Sequence, residues 1–243
     1  MTGALAGEWT KLSTTRAPWW TAALAVLGLG GIGLGRALST SDTLPPAALL
    51  DGASLGLLVV MVLATLAATS DHTTGTHRLA LMADANRVRL FTAKAVVVSV
   101  VCALVAALGA GVLTLASFTL THLSTDWTAA DLRAVWGQPA TWALGGLLAV
   151  SVGTLVRRSA FAAPLVVAWP IAVEPLASVV PKIGEVVGDW LPFTNALAVT
   201  NPATASATGG GIGHGPWTAL AVFAAYAVAA ALVAALVEAR RDA

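Results

Sequence analysis

The sequence predicts an all-α integral membrane protein, and its composition and patterning lead to this class. Charged residues make up only 10% of the 243 residues, whereas about 25% is usual in soluble domains. Hydrophobic residues make up 57%, and they are collected in long runs that contain few charges or none. Because such a chain cannot cover a water-facing surface, we expect membrane lipids to surround most of it.

Six apolar segments are long enough to form transmembrane helices, each of which needs about 20 residues. The first is preceded by residues 1–16, which include Glu8, and it is longer than the apolar region of a signal peptide, so we expect it to be retained. All six belong to a single transmembrane domain that covers residues 1–243. The predicted spans are approximately 17–36, 48–70, 94–121, 139–157, 159–181 and 217–238.

The distribution of basic residues predicts which helix ends face the cytoplasm. If the N-terminus is inside, ten of the 13 lysines and arginines fall in cytoplasmic segments, and three fall outside, at Arg36, Arg133 and Lys182. We therefore expect a multi-pass protein of the cell (plasma) membrane with both termini in the cytoplasm. The loop 71–93 is then cytoplasmic, and 182–216 is a long extracellular loop.

The residues before the first span have the pattern of a helix that lies at the membrane surface. Leu5, Trp9 and Leu12 recur at helical spacing on one side. Glu8 and Lys11 fall on the other side. Because a tryptophan among such apolar residues favours the headgroup region, we predict an interfacial helix within residues 1–16.

The chain contains none of the motifs expected of a nucleotide-binding domain or a metal site. GLGGIG at 28–33 matches the glycine spacing of dinucleotide sites, but it lies inside the first apolar segment, where such glycines favour helix packing. There is no Walker A sequence, and His72 and His77 have no third ligand nearby in the chain. We therefore expect no catalytic residues and no metal. The lysines and arginines form no basic face, which argues against a nucleic-acid partner.

Glu174 is the one acidic residue inside a predicted span, in the sequence AWPIAVEPLASVV. Ionisable groups within a membrane are costly and are candidates for function. Two interpretations are open. Glu174, with Trp169 and Pro170, belongs to a substrate path or gate, or it is a structural residue near the outer headgroups. Its position 16 residues after Arg158, about 24 Å along a helix, fits the second interpretation.

The loop between the second and third spans, DHTTGTHRLALMADANRVRLFTAK at 71–94, has a definite order of residues. A Gly-Thr turn and N-cap precede a short helix, and arginines and a lysine lead into the third span. This order resembles the loop of type 2 exporter permeases in the ABC transporter superfamily. The residues in matching places are Asp71, Gly75, Thr76, Arg78, Leu81, Arg87 and Lys94.

Two further stretches carry the same resemblance. EWTKL at 8–12 is similar to the N-terminal elbow helix of actinobacterial members, and GTLVRRSA at 153–160 is similar to their exit from the fourth span. The family often has a proline between the loop helix and its arginine, where this chain has ADAN at 83–86. Asp84 or Asn86 is therefore a candidate cap for a second helix.

The resemblance implies a membrane-spanning permease subunit, with no cofactor of its own, that exports a compound with energy from ATP. It implies a separate P-loop ATP-binding subunit, which holds ATP and Mg²⁺, and a second permease chain that is identical or paralogous. A short coupling helix in the loop 71–93 would dock into the ATP-binding subunit. The residues assigned to this contact are Asp71, Gly75, Thr76, Arg78, Leu79, Leu81, Met82, Arg87 and Arg89.

Other classes of function stay open from the sequence. A stand-alone secondary transporter or channel would have ionisable or broken-helix sites near mid-membrane and often an internal repeat. An intramembrane enzyme would need a nucleophile with its base, or a metal set. The apolar spans with their tryptophans suit an amphipathic or apolar cargo, such as an antibiotic, a peptide or a lipid.

Overall fold

A computed structural model of the chain describes residues 2–40, 42–73, 86–120, 123–124, 126–180, 184, 187–200 and 213–240. Within these ranges the regular secondary structure is helical, apart from an isolated β-bridge between Leu44 and Leu123. Six helical segments of the described chain are long and apolar enough to cross a membrane. The all-α class and the six long apolar segments are thereby confirmed.

The helices are numbered here along the chain. They are α1 (Thr2–Thr14), α2 (Arg16–Ser39), α3 (Ala53–Thr73), α4 (Arg87–Ser117), α5 (Ala129–Val156), α6 (Ser159–Ala168), α7 (Glu174–Val179), α8 (Pro192–Thr200) and α9 (Pro216–Arg240). A 3₁₀ turn at Pro46–Leu50 precedes α3, a π-helical turn at Trp169–Val173 joins α6 to α7, and a 3₁₀ turn at Gly188–Trp190 precedes α8. The fifth long segment consists of α6, the π-helical turn and α7.

The long segments alternate in direction, so the bundle has two ends. The terminal end holds α1 and the C-terminus of α9, and there Glu8 forms an ion pair with Lys94. The distal end holds the opposite ends of the long segments, and there Arg36 forms an ion pair with Asp51.

Helix α5 begins ten residues before the predicted span, at Ala129 rather than at 139. Thr128 and Asp131 form a capping box, in which each side chain bonds the backbone N–H of the other. Pro139 therefore lies inside the helix. An apolar run predicts the part of a helix that suits the membrane, whereas the capping residues decide where the helix starts.

Helix α5 lies at the centre of the bundle and contacts α3, α4, α8 and α9. A Cβ atom at Gly145 would lie 2.6 Å from Leu57 Cδ1 on α3. A Cβ atom at Gly146 would lie 2.7 Å from the sulfur of Cys102 on α4, which is fully buried. Since lipid is as apolar as these side chains, close contact through small residues is what holds such helices together.

Glycines of the 28–33 motif also lie at a helix contact. A Cβ atom at Gly52, just before α3, would overlap the carbonyl oxygen of Gly28. The Gly52 N–H donates a hydrogen bond to the Leu29 carbonyl oxygen at 3.1 Å, so the two backbones touch. Gly31 has nothing within 4 Å of its Cβ position. Only part of the motif therefore serves packing.

Gly52→Ala is expected to destabilise the protein by about 3 kcal/mol, because the new methyl group would have to displace a backbone carbonyl. Gly31→Ala makes the same chemical change where space is open, and it is expected to be neutral or slightly stabilising. Thermal unfolding of the purified chain in detergent measures both variants. Equal midpoints would contradict the backbone contact between α2 and the start of α3.

Candidate functional site

Four charged side chains, Glu8, Lys11, Asp71 and Lys94, meet at the terminal end, and we call them the charge cluster. Helix α1 supplies the first two, the end of α3 supplies Asp71, and α4 supplies Lys94. The Nζ atom of Lys94 lies 3.1 Å from Glu8 Oε2 and also bonds Asp71 Oδ2. The Nζ atom of Lys11 lies 2.8 Å from Glu8 Oε1 and 3.3 Å from Asp71 Oδ1.

Three members of the charge cluster are largely shielded from solvent. The side chains of Glu8, Asp71 and Lys94 are 13%, 11% and 12% exposed, respectively. Lys94 also donates a hydrogen bond to the Ala67 carbonyl oxygen of α3 at 3.2 Å. Because a shielded charge that loses its partner is costly, the cluster resists separation of α1, α3 and α4.

Lys11 is the most exposed member of the cluster, with 43% of its side chain accessible. Burial disfavours its ammonium form, but the hydrogen bond and charge of Glu8, with the charge of Asp71, outweigh burial and raise its pKa above the usual 10.5. The resulting contribution to stability is complete below the unfolded pKa and is lost only as the pH rises through the folded pKa. Lys11 is therefore charged throughout the physiological pH range.

The charge cluster joins the two sides of the loop between α3 and α4. Asp71 lies near the end of α3, and Lys94 lies about two turns into α4. Helix α4 begins at Arg87, seven residues before the predicted 94, because the Asn86 side chain accepts a hydrogen bond from the Arg89 N–H at 3.0 Å. The cluster therefore ties α3 and α4 to each other and to α1.

The structure brings together only part of the predicted coupling set. Asp71 belongs to the charge cluster, whereas Arg87 is half-buried and Arg89 is exposed in the first turn of α4. Lys94 was matched to the family but not assigned to the site, although opposite charges on two helices that flank a loop are a signal for such a pair. Outside the described residues lie Gly75, Thr76, Arg78, Leu79, Leu81 and Met82.

Helix α1 covers most of the segment predicted to be interfacial. Trp9 is 51% exposed, while Leu5 and Leu12 are half-buried and Leu12 contacts the core. Helical spacing had separated Glu8 from the apolar side. In the structure Glu8 instead faces α4, because Lys94 is there as a partner.

Glu174 lies in the distal half of the bundle and is 3% exposed. Its Oε1 atom accepts a hydrogen bond from the Phe193 N–H at 2.8 Å. Its Oε2 atom accepts from the Thr194 N–H at 2.8 Å and from the Thr194 hydroxyl at 3.0 Å. The first N–H groups of a helix have no partner within the helix and favour an anion. Glu174 is therefore a cap that ties α8 to the fifth long segment.

A cavity of about 580 Å³, which we call the distal cavity, lies beside this contact. Its walls come from the start of α3, from the π-helical turn with α7, and from residues between 184 and 197. Of the predicted path residues, Pro170 and Glu174 line the cavity. Trp169 lies outside the lining and is 42% exposed.

Asp189 lies in the wall of the distal cavity and joins two segments of the chain. Its carbonyl oxygen accepts a hydrogen bond from Asn195 Nδ2 at 2.9 Å and lies 3.0 Å from His214 Nε2. Its Oδ2 atom accepts from the Gly213 N–H at 3.3 Å. The ring centroids of Trp190 and His214 lie 5.5 Å apart. These contacts join the segment before α8 to the start of α9, and no motif in the sequence predicted them.

Within the described ranges, no three His, Cys, Asp or Glu side chains lie together in a way that would hold a metal ion. The ion pairs at the terminal end hold α1, α3 and α4 together, and the distal cavity has the size of a small-molecule site. Comparison with protein-family models and with curated proteins found no match.

Proposed function

We propose that the chain is the membrane-spanning permease subunit of an ATP-driven exporter of the ABC superfamily. The observation that carries the proposal is the charge cluster, through which the helices on both sides of the loop 71–93 are held to each other and to α1. A loop held in this way is suited to receive a movement from another protein. The resemblance of its residues to the coupling loops of these permeases supports the same function.

In this proposal the protein lies in the plasma membrane, and the terminal end faces the cytoplasm. The sequence assigns ten of the 13 lysines and arginines to the segments predicted to be cytoplasmic, in line with the positive-inside rule. A separate subunit binds ATP and Mg²⁺, hydrolyses the ATP and docks onto the loop. ATP draws two such subunits together, the loops move with them, and the charge cluster passes the movement to α3 and α4.

A second permease chain, identical or paralogous, completes the proposed exporter. The outward faces of the long segments leave room for such a contact, because they expose large apolar side chains. Trp20 is 72% exposed on α2, Phe161 is 64% exposed on α6, and Leu176 is 69% exposed on α7. Membrane lipids and the second chain share this apolar surface in the proposal. Helix α1 lies at the headgroups with Trp9 outward, as an elbow helix.

Affinity purification of the chain from its own cells is expected to recover a P-loop ATPase, identified by mass spectrometry. Leu79→Asp or Met82→Asp is expected to lower its recovery at least roughly tenfold, because a charge replaces an apolar anchor of the coupling helix. Leu38→Asp makes the same change on a 77% exposed side chain at the distal end, and it is expected to have no effect.

The outcomes separate two parts of the proposal. If both loop variants retain the ATPase at the wild-type level, the docking assignment is wrong. If the wild-type chain recovers no P-loop ATPase, the exporter assignment fails as a whole. Transport that follows an ion gradient in proteoliposomes of the chain alone would instead support a stand-alone secondary transporter. In that case Glu174 would be the residue that binds the coupling ion, but its hydrogen bonds to α8 already explain why this carboxylate is buried.

A further inference from the structure

The walls of the distal cavity are mainly apolar. Leu58 contributes from α3, Ile171 from the π-helical turn, and Phe193 from α8. The volume of about 580 Å³ falls within the range of roughly 300–1,000 Å³ that is usual for small-molecule sites. Such walls suit the apolar body of an amphiphilic compound.

The charged residues among the described lining, Glu174 and Asp189, are both acidic. The carboxylate of Glu174 is buried and accepts three hydrogen bonds from Phe193 and Thr194, so it already serves α8. Asp189 is only half-buried, and among the described residues its carboxylate accepts one hydrogen bond, from the Gly213 N–H at 3.3 Å. Of the two carboxylates in the lining, Asp189 is thus the one that accepts fewer hydrogen bonds from the described residues.

We propose that the distal cavity binds amphiphilic organic cations, with the apolar body against Leu58, Ile171 and Phe193 and the cationic group at Asp189. A carboxylate attracts a cation more strongly beside apolar walls than in open water, since the local dielectric constant is lower. The negative charge of the carboxylate disfavours an anion of equal shape. That such cations are the exported cargo rests on the proposed function, whereas their binding can be measured with this chain alone.

Tetraphenylphosphonium and tetraphenylborate test the proposal, because they have nearly the same shape and opposite charge. Equilibrium dialysis with the full chain in detergent is expected to show saturable binding that is tighter for the phosphonium. Asp189→Asn is expected to weaken phosphonium binding roughly fivefold without weakening borate binding. Asp126→Asn removes an exposed distal carboxylate outside the cavity lining, and it is expected to change neither.

Two further variants locate the site and separate charge from folding. Leu58→Trp enlarges a half-buried side chain of the cavity wall and is expected to weaken binding of the phosphonium, whereas Asp189→Glu keeps the charge and is expected to retain most of the binding. Equal binding of the two ions to the wild-type chain overturns the proposal. So does an Asp189→Asn variant that binds the phosphonium normally or loses both ions equally, or a Leu58→Trp variant with unchanged binding. If the ATPase still co-purifies, such a result overturns the cargo class and leaves the exporter assignment intact.

Discussion

Lys94→Met is expected to destabilise the terminal end by about 3 kcal/mol, because it removes the ammonium group that lies between Glu8 and Asp71. The two carboxylates would then face each other with less compensation in a shielded place. The double variant Lys94→Met/Asp71→Asn is expected to lose less free energy of unfolding than the two single variants lose together, because the two residues are in contact. Thermal unfolding of the four proteins in detergent measures this double-mutant cycle.

Arg36→Met is the control for the loss of a cation from an ion pair. Arg36 pairs with Asp51 at the distal end, but 55% of its side chain is exposed. Exposed pairs contribute at most about 1 kcal/mol, so a small effect is expected. Equal shifts of the unfolding midpoint for Lys94→Met and Arg36→Met would show that the charge cluster has no special role in stability.

The same Lys94→Met variant tests the proposed coupling. In proteoliposomes with the ATP-binding subunit, ATP-driven transport is expected to fall roughly tenfold. A tenfold loss corresponds to a coupling free energy of the size that is usual between two sites. The ATPase is still expected to co-purify, because the apolar docking residues of the loop are unchanged. Normal transport by a correctly folded Lys94→Met protein would remove the charge cluster from the mechanism.

Glu174→Leu is expected to release the N-terminus of α8. The substitution removes the acceptor of three hydrogen bonds from Phe193 and Thr194 in a buried position, at a cost of about 3 kcal/mol. Hydrogen exchange of the α8 amide groups, followed by mass spectrometry, is expected to become faster. Glu174→Gln keeps one carbonyl acceptor and is expected to retain part of the protection.

This experiment also decides between the two interpretations of Glu174. If Glu174 is a structural cap, hydrogen exchange in α8 should become faster as transport is lost, in both the Leu and the Gln variant. A gate or path residue predicts that transport is lost while exchange in α8 is unchanged. The hydrogen bonds to α8 favour the cap, and the position in the cavity lining explains why transport would also respond.

The sequence predicted the spans well and their starts less well. Apolar runs indicated the segment that ends near Asp71 and the one that follows Ser159, and both agree closely with the structure. The start of α5 was missed because Thr128 and Asp131 lie in a polar stretch, where a capping box rather than hydrophobicity begins the helix. The glycine motif at 28–33 was assigned to packing correctly, but which of its glycines make contact depends on the neighbouring helix.

The candidate sites depended more strongly on tertiary structure. Asp71 was identified from the order of residues in its loop, but its partners Lys94 and Lys11 are 23 and 60 residues away in the chain. The contacts of Asp189 with His214 were not predicted, because they join two segments 25 residues apart that share no motif. The charges on both sides of the loop gave a signal for Lys94, but no local pattern indicates that Lys11 meets Asp71 or that Asp189 meets His214.

By itself, the sequence determined that this chain forms six long apolar helices and where most of its basic residues lie along them. These properties follow from local composition, because a bilayer requires about 20 apolar residues of every helix that crosses it. Only the tertiary structure decided that Glu8 turns inward to Lys94 and that Glu174 caps α8. A charge in an apolar environment adopts the position where a partner is within reach, and helix packing determines which partner that is.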